Sequence, residues 1–170
     1  MAVPKIYLET TMFSFYYEER TAPPYRELKT QVRRIFDLIK AGEYEPYTSP
    51  HTTREIDDEP NEKKRGKMWG LIPEYAIKIL DITDEVKRLA NLYIREKTIS
   101  PLHLTDAAHI AISVVNGLDY IVSLNFSHIV RAWTIEHVRQ VNAREDYKGI
   151  GIYRPMEVLE IYENDSGLHE

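Results

Sequence analysis

The sequence predicts one α/β domain in which a mainly parallel sheet of four or five strands is covered by helices on both faces. Three observations carry this. Short β-rich runs alternate along the chain with longer segments of helical apolar period. The helical segments are long enough to serve as the crossovers that parallel strands require. The 170 residues contain no internal repeat, low-complexity tract or Gly/Ser linker, which fits one continuous core.

The elements follow in order. Lys5-Ile6-Tyr7-Leu8 reads as the first strand and ends at Glu9, where Thr10 and Thr11 open a short helix through Phe15. TAPPY at 21–25 is breaker-rich; after it Val32, Ile35, Phe36 and Ile39 fall at i, i+3, i+4 and i+7, an amphipathic helix closed by Gly42. Tyr44 to Thr48 is the second strand. Ser49 then caps, and Pro50 starts, a helix that carries Thr53, Glu55 and Asp58 before Pro60 ends it. A basic, Gly-broken helical stretch runs to Pro73, and Ile77 to Ile82 is the third strand. Thr83 caps a helix with Asp84 and Glu85 in its first turn and Val86, Leu89, Ala90, Tyr93 and Ile94 on its inward face. Another helix covers about 101–115 and stops at Asn116-Gly117. Tyr120-Ile121-Val122 is a buried strand leading into Ser123-Leu124-Asn125-Phe126, followed by a polar helix around Ile135 to Arg144 and a last strand at Ile150 to Tyr153. Residues 1–163 form the domain, and 164–170 read as a frayed tail.

Composition narrows the function. The chain has no cysteine, which excludes a disulfide framework, thiolate zinc sites and cysteine nucleophiles and suits a reducing, cytoplasmic setting. No apolar run approaches a membrane span, and the opening MAVPKIYLETT lacks the layout of a signal peptide. A net charge of −5 argues against non-specific wrapping of nucleic acid, yet leaves room for a nuclease, whose acidic site is a small part of the surface. There is no G-x-S-x-G elbow and no Walker loop, and Gly149-Ile150-Gly151 lacks the third glycine of a dinucleotide fingerprint, so no nucleotide cofactor is expected.

In parallel sheets, sites form beyond the carboxyl ends of the strands, which directs attention to Glu9 and Asn125. Taken alone, Glu9 reads as a helix cap or salt-bridge partner. Asp106 lies in an apolar helical run, and a charge there demands a partner, ordinarily Arg or Lys, or a metal. His103, Asp106 and His109 repeat at three-residue spacing, a drifting stripe poorly shaped for one ion, so His109 reads as packed behind a site. His128 is ambiguous. Glu55 with Asp58 has the alternative of a solvated helix face.

KIYLETTMF at 5–13, TSPHTTREID at 48–57 and LTDAAHIAISVVNGLDYIVSLNFSHI at 104–129, in this strand and helix order, resemble the PIN-domain family, which includes the toxin ribonucleases of toxin–antitoxin pairs. The resemblance covers most of the chain, and 104–129 is its most specific piece. It implies a Rossmann-like, three-layer α/β/α fold and metal-dependent hydrolysis of RNA. Glu9 takes the place of the first-strand Asp, Glu55 that of the helix carboxylate, Asp106 that of the third acid and Asn125 that of a fourth. Ser123 matches the hydroxyl residue two positions before that fourth acid, and Thr10 or Thr11 the one near the first. Glu9 and Asn125 both stand where the family more commonly has Asp. The resemblance also implies a homodimer, with RNA as substrate and an antitoxin protein as partner.

Charge repulsion makes the cofactor expectation physical. Carboxylates gathered in one pocket raise one another's proton affinity unless a divalent ion neutralises them, and an all-oxygen set suits Mg²⁺ or Mn²⁺. Glu9 and Asp106 would hold the ion and Glu55 would ligate or orient water. Asn125 and Ser123 would complete the shell. Lys63, Lys64, Arg65 and Lys67 form the densest basic run, with a solvated helix face as the bland reading; Tyr16, Tyr17 and Trp133 are aromatics able to stack bases or simply pack. Two rival readings are a non-catalytic RNA- or protein-binding module of the same fold and a small-molecule hydrolase or phosphatase using the same cleft.

Overall fold

The computed structural model describes residues 2–166. Its strands are β1 (Lys5–Leu8), β2 (Glu45–Thr48), β3 (Lys78–Ile79), β4 (Tyr120–Val122) and β5 (Gly151–Tyr153). They form one sheet in the order β3-β2-β1-β4-β5, with every neighbouring pair parallel. Among the described residues eight helices surround it: α1 (Thr10–Tyr16), α2 (Pro23–Lys40), α3 (Pro50–Asp57), α4 (Glu62–Glu74), α5 (Asp84–Arg95), α6 (Leu104–Val115), α7 (Ala132–Arg144) and α8 (Pro155–Asp165). The architecture is a three-layer α/β/α domain of Rossmann-like type.

The two-residue period of the strands divides the interior into two cores. Tyr7, Ile121 and Ile152 face a cluster built from α5, α6 and α7, including Leu89, Tyr93, Ile110 and Val138. Ile6, Leu8 and Val122 face the opposite cluster, where Phe13 of α1, Ile35 and Phe36 of α2, Met68 and Leu71 of α4 and Val158 of α8 pack. A sheet buried on both faces selects the near-continuous apolar runs seen in β1 and β4.

Local chemistry explains the boundaries. Ser49 Oγ accepts the His51 amide at 3.2 Å and Thr83 Oγ1 that of Val86 at 3.3 Å, so both predicted caps form. Gly42 (φ 81°) and Gly117 (φ 64°) close α2 and α6 in the left-handed region that glycine enters without a Cβ penalty.

Several boundaries differ from the sequence expectation. The third strand shrinks from Ile77–Ile82 to Lys78–Ile79, both exposed, because it lies at the sheet edge where only β2 pairs with it. Helix α2 starts inside the breaker-rich segment, since Pro23 and Pro24 occupy its first turn, where a missing N–H costs nothing. The helix expected over 101–115 begins with a 3-10 turn, Pro101–His103, before α6. Helix α8 was not anticipated; Pro155 starts it and the Glu157 carboxylate accepts the Arg154 amide at 3.0 Å. Asn164 and Asp165, read as tail, form its last residues, Ser166 caps it, and residues 167–170 of that tail lie outside the described residues.

Candidate metal centre

Strands β2 and β3 lie on one side of β1, and β4 and β5 on the other, so the strand order switches between β1 and β4. Connections diverge there and leave a crevice at the carboxyl ends. Glu9 follows β1 directly and is only 2% exposed. Ser123 follows β4, Thr10 and Thr11 open α1, Glu55 projects from α3 and Asp106 stands in the first turn of α6.

Glu9 Oε1 accepts the hydroxyls of Thr11 and Ser123, each at 2.5 Å. Those hydroxyls are themselves held: Thr11 Oγ1 accepts the Leu124 amide at 2.8 Å and Ser123 Oγ the Asn125 amide at 2.9 Å. Glu55 Oε1 accepts the Thr10 hydroxyl at 2.7 Å and lies 2.6 Å from His109 Nε2. Both threonines therefore serve the site, one behind each glutamate. The other nitrogen of His109, Nδ1, is 2.6 Å from the Tyr7 hydroxyl, which in turn is 2.7 Å from Ser49 Oγ. A buried chain from Ser49 to Glu55 thus fixes the imidazole. One potential ligand atom each of Glu9, Glu55 and His109 lie within 4.8 Å of one another. The hydrogen bonds to both glutamates fall on Oε1, leaving each Oε2 without a protein donor among the described residues.

The electrostatics follow from burial. Desolvation lifts the Glu9 carboxyl above its usual range, against the pull of the His109 charge and the two hydroxyls. Burial likewise opposes the charge on His109, but Tyr7, the Glu55 hydrogen bond and the nearby glutamates outweigh it and hold the imidazole well above the ordinary histidine range. Glu55 feels the same desolvation and is nonetheless held low, chiefly by its hydrogen bond to His109. Asp106 is lifted by burial, with Glu55 adding to the effect and His109, His128 and His103 opposing it. Glu9 and Glu55 thus share the positive charge of His109, while Asp106 lies in a separate group with His103 and His128.

Asp106 differs from the sequence expectation. No Arg or Lys pairs with it among the described residues; Asn125 Nδ2 donates to its Oδ1 at 3.2 Å, and His103 Nδ1 lies 3.8 Å from its Oδ2. The rings of His103 and His128 stack at 3.6 Å, and with Asp106 they form a second group of potential ligand atoms within 4.8 Å. The three-residue stripe is therefore split: His109 joins the glutamates and His103 joins His128. Asn125 sits in the site, but its Oδ1 accepts the His128 amide at 3.0 Å. Its amide thus links Asp106 to the following turn.

The remaining candidates divide. Asp58 forms the end of α3 and is exposed. Trp133 donates to Lys97 O at 3.2 Å and stacks on His137, whereas Tyr16 packs on Phe36 and bonds the Tyr75 hydroxyl at 2.9 Å. Tyr7 and Ser49 were missed as contributors, and His128, ambiguous in the sequence, stacks on His103. Tyr7 and Ser49 looked like strand and cap residues, and nothing local to His128 marks its approach to His103.

No family model matches the chain, and no curated protein matches it.

Proposed function

We propose that this protein is a metal-dependent endoribonuclease that hydrolyses phosphodiester bonds in single-stranded RNA at the carboxyl ends of β1 and β4. One observation supports this reading above the rest: Glu9, buried at the strand-order switch, has two hydroxyl donors and, among the described residues, no Arg or Lys bonded to it. Apart from His109, whose charge it shares with Glu55, such a carboxylate has room for a cation as its counter-charge. The donor set is rich in carboxylate oxygen, which suits Mg²⁺ or Mn²⁺.

Glu9, Glu55 and Asp106 are the residues that would hold the ion. A bound Mg²⁺ or Mn²⁺ supplies a water of lowered pKa and positive charge against the phosphate oxygens. The protein's part is orientation. Thr11 and Ser123 fix the Glu9 carboxylate, Thr10 and His109 fix Glu55, and Asn125 steadies Asp106. Tyr7 locks the ring of His109, so that Glu55 presents its Oε2 in one direction.

The test is cleavage of a labelled single-stranded RNA with Mn²⁺, with Mg²⁺ and with chelator. Cleavage should require metal and fall by roughly a hundredfold or more in Asp106→Asn protein from a parallel preparation. Equal cleavage by both proteins would mean a contaminant.

A second reading is a non-catalytic RNA-binding module. Two observations favour it: the Asn125 oxygen is taken by a backbone amide, and Glu55 is already paired with His109. RNA binding in chelator, without cleavage and without stabilisation by Mn²⁺, would select this reading.

A further inference from the structure

At the far end of α1, three lysines of the basic run border a cavity, Lys63 and Lys67 remaining exposed. This cavity, of about 220 Å³, is lined by Tyr17, by Lys29 and Arg33 of α2, and by Lys63, Lys64 and Lys67 of α4. Five cations from two helices that are distant in sequence converge there. The only carboxylate in the lining is Glu19, which is exposed; neighbouring Glu18 is already taken by Arg20, at 2.6 and 3.0 Å.

The five cations make no ion pairs among the described residues. Lys64 Nζ donates to Ser14 Oγ at 3.2 Å, Arg33 Nε donates to Tyr16 O at 3.0 Å, and Lys67 Nζ lies 5.7 Å from the Tyr17 ring centre. Elsewhere the chain pairs its cations readily, as in Lys78 with Glu45, Arg88 with Glu145, Arg144 with Glu96 and Lys148 with Asp119. In a chain of net charge −5, five convergent cations with no close ion pair among the described residues, and only Glu18 and Glu19 nearby, favour an anion.

Helix α1 connects this cavity to the acid centre. Thr10, Ser14 and Tyr17 recur at i, i+4 and i+7 and so share one face of the α1 turn and its cap. Thr10 bonds Glu55, Ser14 bonds Lys64 and Tyr17 lines the cavity. At 1.5 Å per residue, seven residues span about 10 Å, the length of about three stacked nucleotides.

We infer that this cavity is a phosphate subsite holding the backbone of single-stranded RNA a few nucleotides from the acid centre. The placement along the strand rests on the nuclease reading; the anion binding does not. Lysine and arginine recognise the phosphate as charge, independent of sequence, and Tyr17 provides a ring beside it.

The experiment measures binding of a labelled single-stranded RNA to the full chain by fluorescence anisotropy, in chelator so that no cleavage intervenes, across a salt series. The double variant Lys63→Gln/Lys67→Gln should bind roughly tenfold more weakly, with the slope of log K against log salt reduced by roughly 1.4, at about 0.7 per lost phosphate contact. Lys148→Gln, at the amino end of the sheet, should change neither quantity. Thermal midpoints of all variants verify folding. Inorganic phosphate is titrated in parallel to separate the two sources of the anion. Loss of phosphate binding with unchanged RNA binding would overturn the RNA assignment, and unchanged binding of both would overturn the subsite. RNA binding lost in the double variant, in a protein that never cleaves, would uphold the subsite while the nuclease reading fails. Metal-dependent cleavage with normal RNA binding by the double variant would do the reverse.

Discussion

His51 illustrates how one residue carries a measurable pH dependence. Its ring lies 5.9 Å from that of His109, and its buried Nε2 has no hydrogen-bond partner among the described residues. Burial, with the charges of His109 and Arg54 behind it, depresses its pKa to about 4, despite the opposing pull of Glu55. The folded value lies below the unfolded one, so as pH falls the unfolded chain binds the proton first and stability declines between about 6.5 and 4. His51→Gln protein should therefore lose less thermal stability between pH 7 and pH 4.5 than the unaltered protein. Equal losses would show that His51 does not titrate in this way. At this scale the sequence drew attention to Glu9 by a strand end, to Asp106 by a charge among apolar residues and to Glu55 only through the family resemblance. It singled out Asn125 but not its partners, because an amide's orientation depends on donors and acceptors supplied from elsewhere, here the carboxylate of Asp106 and the amide of His128.

Elements were legible where apolar period and capping chemistry agree. β1, β4, α3 and α5 have this property, with Ser49 and Thr83 placed where their side chains cap. Helix α8 escaped notice because it is short and only Pro155, Val158 and Leu159 are buried, too few to establish a period. Its packing is nonetheless part of the second core, where Val158 and Leu159 join Phe36 and Val122. Leu159→Ala should cost about 2–3 kcal/mol in urea unfolding, within the usual range for a buried leucine. A change below about 0.5 kcal/mol, the ordinary value for a surface substitution, would show that α8 does not contribute to the core.

For the whole molecule, a bound ion must stabilise the fold, since it binds the assembled acids and not the unfolded chain. At a hundred times its dissociation constant, Mn²⁺ should add about 2.7 kcal/mol, which for a domain of this size raises the thermal midpoint by roughly 5–10 °C. Chelator should reverse the shift. Glu9→Gln should remove it, and the metal-free variant should be at least as stable as the unaltered protein, because one buried charge has gone. A full Mn²⁺ shift in that variant would remove Glu9 from the ligand set.

The sequence by itself determined the α/β class, most of the strands and helices, and the acids at or near the strand ends, because these follow from interactions within a few residues along the chain. Tertiary structure decided the strand order, with its switch between β1 and β4, the separation of His109 from His103, and the approach of Lys29 and Arg33 to Lys63, Lys64 and Lys67. Those outcomes depend on which distant surfaces bury one another: residue periods describe a helix or strand face, but only packing of the assembled elements selects the side chains that meet across it.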